Sequence, residues 1–154
     1  MSHARSEYKD FRSQAPELYD AILAVSQQAA KAGLDKQLLE LVKIRASQIN
    51  GCAFCVQHHV LLAEKLGVSA DKINLVVVWR EAPQFSARER AALAFTEAVT
   101  LVADTHVPRA AYDAVAEHFT PDEVAALLSL IVVVNAWNML SVATRAWVPG
   151  SYEP

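Results

Sequence analysis

The chain has 154 residues, 53% hydrophobic and 20% charged, with four Gly and six Pro, a composition that suits one compact helical domain and leaves no room for a second core. Its net charge of -3, with Lys and Arg scattered among acids, supplies no basic stripe, so neither nucleic acid nor an anionic membrane surface is an expected partner. The opening stretch MSHARSEYKDFRSQAPE is polar and mixed in charge, without the apolar centre of a secretory signal, and a cytoplasmic location is expected.

Taken in chain order, the punctuation predicts helix throughout. Pro16 opens a helix to Ala32 whose apolar residues Leu18, Ile22, Val25 and Ala29 recur at spacings of four and three, with Gly33 behind it as a cap. Asp35 caps a second helix, in which Leu39, Val42, Ala46 and Ile49 form one stripe down to the Asn50-Gly51 turn signal. A third runs from about Cys52 to Leu66, with Val60, Ala63 and Leu66 inward and Gly67 as the stop. Ser69 begins a shorter helix, and Leu75 to Trp79 is β-branched enough to be ambiguous.

Ser86-Ala87-Arg88-Glu89 is a capping box for a helix to about Val102, Pro108 opens a short one to His118, and Thr120-Pro121-Asp122-Glu123 is a second box. The last helix is expected from Pro121 to about Trp147. Its apolar run, Val124 to Val134, is well short of the roughly 20 residues a bilayer crossing requires. It reads as a buried helix. A helix apolar on every side must be covered all round, and Val132, Val133, Trp137 and Leu140 exceed what one small domain needs to bury, so a homo-oligomer is expected unless neighbouring helices cover them. The expected fold is therefore all-α: a single-domain bundle of about six to seven helices, its core about residues 16–147.

Chemistry concentrates in NGCAFCVQHH, which holds both cysteines, Cys52 and Cys55, and two of the five histidines. In a reducing compartment a CxxC pair is a redox couple, a metal site or two inert thiols. Zinc lacks a fourth ligand beside Cys52, Cys55 and His58 or His59, since His3, His106 and His118 stand alone, and no metal or cofactor is expected. At the first turn of a helix, free amides lower a thiol's pKa, which favours Cys52 as the anion; the spacing also lets the two sulfurs approach at i, i+3. His59 follows Cys55 by four residues, on the same face, where an imidazole can take the thiol proton, which favours Cys55. If the second and third helices form a hairpin, Glu40 falls where it can orient His59; alternatively Glu40, with Lys36 and Lys43, belongs to a solvated face. Gln48 and Asn50 add hydrogen-bonding groups near the thiols.

The spacing of Glu40, Cys52, Cys55 and His59 within ELVKIRASQINGCAFCVQHH resembles the signature of the alkylhydroperoxidase AhpD-like family, in the carboxymuconolactone decarboxylase superfamily. The likeness runs from Pro16 through LLELVKIR and FSARERAALAFTEAVTL to VVNAWN. It implies trimers or hexamers and a thiol peroxidase in which Cys55 attacks the hydroperoxide, Cys52 resolves the sulfenic acid as a disulfide, His59 assists deprotonation and Glu40 polarises His59. A dithiol donor, of lipoyl type by family precedent, would restore the pair. The best-known members carry CxHC where this chain has Phe54, and His58 matches no motif position. A thiol-disulfide exchange or redox-sensing protein shares the dithiol, a lactone decarboxylase would not need it, and in a purely structural subunit it would be incidental.

Overall fold

The computed structural model describes residues 7–146. Among them are nine α-helices, a 3-10 turn at Val76–Val78 and no strand. The helices are α1 (Tyr8–Gln14), α2 (Pro16–Lys31), α3 (Lys36–Ile49), α4 (Ala53–Lys65), α5 (Ala70–Leu75), α6 (Ala87–Thr100), α7 (Val102–Thr105), α8 (Arg109–Ala116) and α9 (Pro121–Ala143). His3 and Trp147 lie outside the described residues, but the last helix stops short of the expected Trp147: α9 ends at Ala143, with Thr144 as its C-cap and Arg145 at a φ of +54° that no α-helix continues.

The starts follow from cap chemistry. Asp35 accepts from the Leu38 amide at 2.8 Å, satisfying one of the four orphan donors of α3. Ser86 and Glu89 exchange bonds reciprocally at α6, as do Thr120 and Glu123 at α9. The ambiguous Leu75 to Trp79 stretch finishes α5 and continues as the 3-10 turn.

Helix α3 is the centre. Its Leu38, Leu39 and Val42 join Ala92 and Phe95 of α6, Val115 of α8 and Leu127, Leu130 and Ile131 of α9 in one core. Its opposite side, Leu41 and Ile44, joins Ala63 of α4 with Ile73, Val76, Trp79 and Leu93 in another. A helix packed on both sides buries whatever polar residues it carries, so each needs a partner. Arg45 finds one across the interface with α6, donating from Nε to Glu97 at 2.8 Å, while Glu97 also accepts from Trp79 Nε1 at 2.9 Å.

Helix α9 is long and apolar enough, by length and composition, to cross a membrane, yet half of its most apolar window is buried in this fold. It packs against α2, α3 and α6. Of the four residues that pointed to excess apolar surface, Val133 is buried, Trp137 and Leu140 are half-buried and Val132 is exposed. Leu128, Val132, Met139 and Val142, all exposed, form one stripe at helical spacing through half-buried Asn135.

The periodic apolar set of α2 stays largely outside the core, and the expected inward side of α4 is only partly buried. On α2 only Ala29 of the periodic set is buried, and Leu18 and Val25 face outward, because α2 meets α9 through Tyr19, whose ring packs edge-on against Trp137 at 5.2 Å. On α4 Ala63 is buried but Leu66, at the C-cap, is exposed.

Candidate functional site

The turn between α3 and α4 begins at Asn50 and is closed by Gly51, whose φ of +65° lies where a side chain would be strained. A Cβ there would meet nothing within 4 Å, so the requirement is conformational. Cys52 follows as the N-cap of α4, with extended backbone and its Sγ in the place a Ser or Asp oxygen usually takes: the Cys55 amide donates to it at 3.3 Å. Cys52 and Cys55 are joined as a disulfide with Cα atoms 5.3 Å apart. Both are buried, yet Cys52 lines two open hollows of about 460 and 550 Å³. Phe54, Ser141, Val142 and Arg145 wall the first, and Gln48, Val56, Gln57 and Val60 the second.

One turn beyond Cys55, His59 donates from Nδ1 to Glu40 Oε2 at 2.8 Å across the hairpin. Lys43 donates to the other oxygen, Oε1, at 2.7 Å. Glu40 is only 6% exposed, which removes the solvated-face alternative. Burial pushes its carboxyl toward the neutral form, but the His59 hydrogen bond and the Lys43 charge outweigh that and hold its pKa below the ordinary value. An ionised, doubly held carboxylate fixes the His59 ring with Nδ1 toward α3 and leaves Nε2 as the nitrogen able to exchange a proton. His58, beside it, stacks on Phe54 with ring centroids 6.3 Å apart and meets His59 edge-on at 5.1 Å.

All four residues expected at the site, Glu40, Cys52, Cys55 and His59, thus sit on the two helices flanking one turn. Asn50 does not face the thiols: its amide donates to Asn135 at 2.7 Å and Asn138 at 2.9 Å on α9, because the end of α3 packs against that helix. Asn138, 1% exposed, in turn donates to Ser47 at 2.9 Å, and the Ser47 carbonyl accepts from the Cys52 amide at 3.0 Å. Sequence reasoning missed this amide network. Its signal was available: Asn135 and Asn138, three residues apart in an apolar helix, require buried partners. Among the described residues no three His, Cys, Asp or Glu side chains converge to hold a metal ion.

Residues 16–98 match the model of the carboxymuconolactone decarboxylase family. The chain belongs to this family, within its AhpD-like branch. This AhpD-like chain is 34% identical over 129 residues to YdfG of Bacillus subtilis (strain 168), an uncharacterized protein, the match covering 84% of the chain and 88% of YdfG. A crystal structure of a protein of unknown function from Agrobacterium tumefaciens, described as a candidate antioxidant defence protein AhpD, is similar with a TM-score of 0.87 at 37% identity, covering 91% of this chain and 96% of that one. The debrominase Bmp8 shares the fold alone, with a TM-score of 0.77 at 18% identity over 90% of this chain and 74% of its own.

Proposed function

We propose that the protein is a thiol peroxidase that reduces organic hydroperoxides through a dithiol–disulfide cycle at Cys55 and Cys52. The observation that carries this reading is the Glu40–His59 hydrogen bond one helical turn from a cysteine that is already paired with its neighbour. In the reduced protein His59 Nε2 takes the Cys55 thiol proton. The thiolate attacks one peroxide oxygen, the O–O bond breaks, and the departing alkoxide takes the proton back from His59, leaving Cys55 as a sulfenic acid and an alcohol. Cys52 then attacks the Cys55 sulfur, its proton leaves with the hydroxide as water, and the disulfide forms. A dithiol donor returns the pair to the thiol form by exchange.

Burial of Glu40 beside Lys43 and His59 supports the assignment of His59 as base and Glu40 as its orienting group. The apolar stripe on α9 supports association with further copies of the chain, for which the family resemblance suggests a trimer or hexamer. The test is to mix reduced protein with an organic hydroperoxide and count free thiols against alcohol formed. Loss of both thiols per chain with one alcohol is expected, and retention of both thiols would end the proposal.

A second reading, thiol-disulfide exchange without peroxide turnover, is favoured by Cys52 at the helix N-cap, where the amides stabilise a thiolate on that sulfur instead. Comparing peroxide consumption with reduction of an insulin-type disulfide, each with a regenerating dithiol, separates the two. Activity that survives the double change Cys52→Ser and Cys55→Ser would point instead to a lyase.

A further inference from the structure

His58 has no place in the cycle above, yet its surroundings are specific. Side chains three and four residues apart are neighbours on a helix, and both lean toward the N-terminus. The rings of His58 and His59 therefore both lean back over the turn that carries Cys55, one on each side of it. The Glu40 carboxylate occupies one nitrogen of His59. The His58 ring is instead oriented by packing: near-parallel to Phe54, with 9° between planes, and edge-on to His59. Among the described residues no group hydrogen-bonds to it, and it is exposed to solvent.

Such a ring is preorganised and has its polar atoms available to a ligand. Resting on the peroxidase reading, we propose that His58 is a catalytic residue that donates a hydrogen bond to the departing oxygen of a hydroperoxide attacked by Cys55. Charge develops on that oxygen as the O–O bond breaks, and a donor whose ring is already held in place by packing lowers the barrier with little reorganisation. His59 has just accepted the thiol proton and returns it to the alkoxide, so the balance remains thiol plus hydroperoxide to sulfenic acid plus alcohol. His58 changes the charge felt by the leaving group, not the proton count.

The electrostatics are compatible. Although one side of the ring is open to water, partial desolvation against its neighbours and the adjacent His59 lower the His58 pKa, with Lys43 and Lys65 acting in the same direction and Glu40 opposing them. A neutral imidazole keeps one N–H to donate and places no second full charge beside the His59 imidazolium. Phe54 has a role in the same account: its ring supports His58 and offers the organic group of the substrate an apolar, partly exposed surface.

The test measures the bimolecular rate of the reduced protein with a series of hydroperoxides whose alkoxides differ in basicity, alongside alkylation of Cys55 by iodoacetamide, which releases no oxygen anion. His58→Leu is expected to slow the peroxide reaction roughly 100-fold, most for the most basic alkoxide, with alkylation unchanged. His58→Gln, which keeps a donor, is expected to recover most of the loss. Equal peroxide rates in His58→Leu and wild type would overturn the inference, and so would an equal slowing of alkylation, which would place the effect on the thiolate. A wild-type protein whose thiols alkylate but ignore every hydroperoxide would overturn the parent reading and this one together.

Discussion

Glu40 of α3 and His59 of α4 are joined at 2.8 Å across a hairpin whose turn delivers Cys52 and Cys55. The pair is nineteen residues apart in sequence, and its geometry depends on α3 being packed on both sides. Replacing Glu40 by Gln keeps the shape but removes the ionised acceptor that orients the His59 ring. Alkylation of Cys55 at neutral pH is expected to slow by about tenfold, with the helical circular dichroism unchanged. An unchanged rate would mean that the carboxylate has no hold on the thiol.

Acid stability gives a second prediction. The carboxyls of Glu40 and Glu97 both titrate below the ordinary value of 4.5, because the hydrogen bonds and charges around them outweigh burial. A lowered folded pKa means that the unfolded chain binds more protons in this window. The stabilisation is therefore fully present above about pH 4.5 and is lost as pH falls through the folded values. Urea midpoints followed from neutral to acid pH should drop in that range, and Glu97→Gln should flatten the drop. Parallel loss in variant and wild type would contradict this account of Glu97.

The amide network makes a third. Asn138→Ala leaves Ser47 and Asn50 each without one buried partner, a loss of about 2 kcal/mol. Because the Ser47 carbonyl also receives the Cys52 amide, the turn that positions the Cys52 sulfur should loosen as well. Urea denaturation measures the first effect. The second is read by the rate of disulfide closure after peroxide addition, and a stability loss with an unchanged closure rate would show that the network serves the core alone.

Gly51 offers a cleaner backbone test. Ala at a φ of +65° meets no neighbour, so Gly51→Ala should cost about 1–2 kcal/mol from conformation alone. Gly51→Asn should cost less, since Asn tolerates that region. Equal stability of all three proteins would mean that the turn adopts another conformation.

Much of this was legible in the sequence. Asp35, Ser86 and Thr120 begin helices where their side chains satisfy amides, and the spacing from Glu40 to His59 needed only the hairpin to become a contact. What escaped depended on tertiary choice. Helix α1 was missed: its start at Glu7, whose amide donates to Asp10, lacks the usual Ser, Thr or Asn. Helix α7 is one turn, too short for periodicity to register. The outward face of α2 has the same apolar spacing as a buried one, and only the choice of Tyr19 as its contact with Trp137 distinguishes them. The direction of Asn50, toward α9 and not the thiols, was likewise set by how α3 and α9 meet.

The most direct test of the central claim, that an oriented His59 keeps Cys55 anionic, is the thiol pKa of Cys55 in a Cys52→Ser background, with His59 intact and as His59→Phe. The account predicts a value well below the unperturbed ~8.5 with His59 present and a return toward that value without it. A pKa of about 8.5 in both proteins would contradict it.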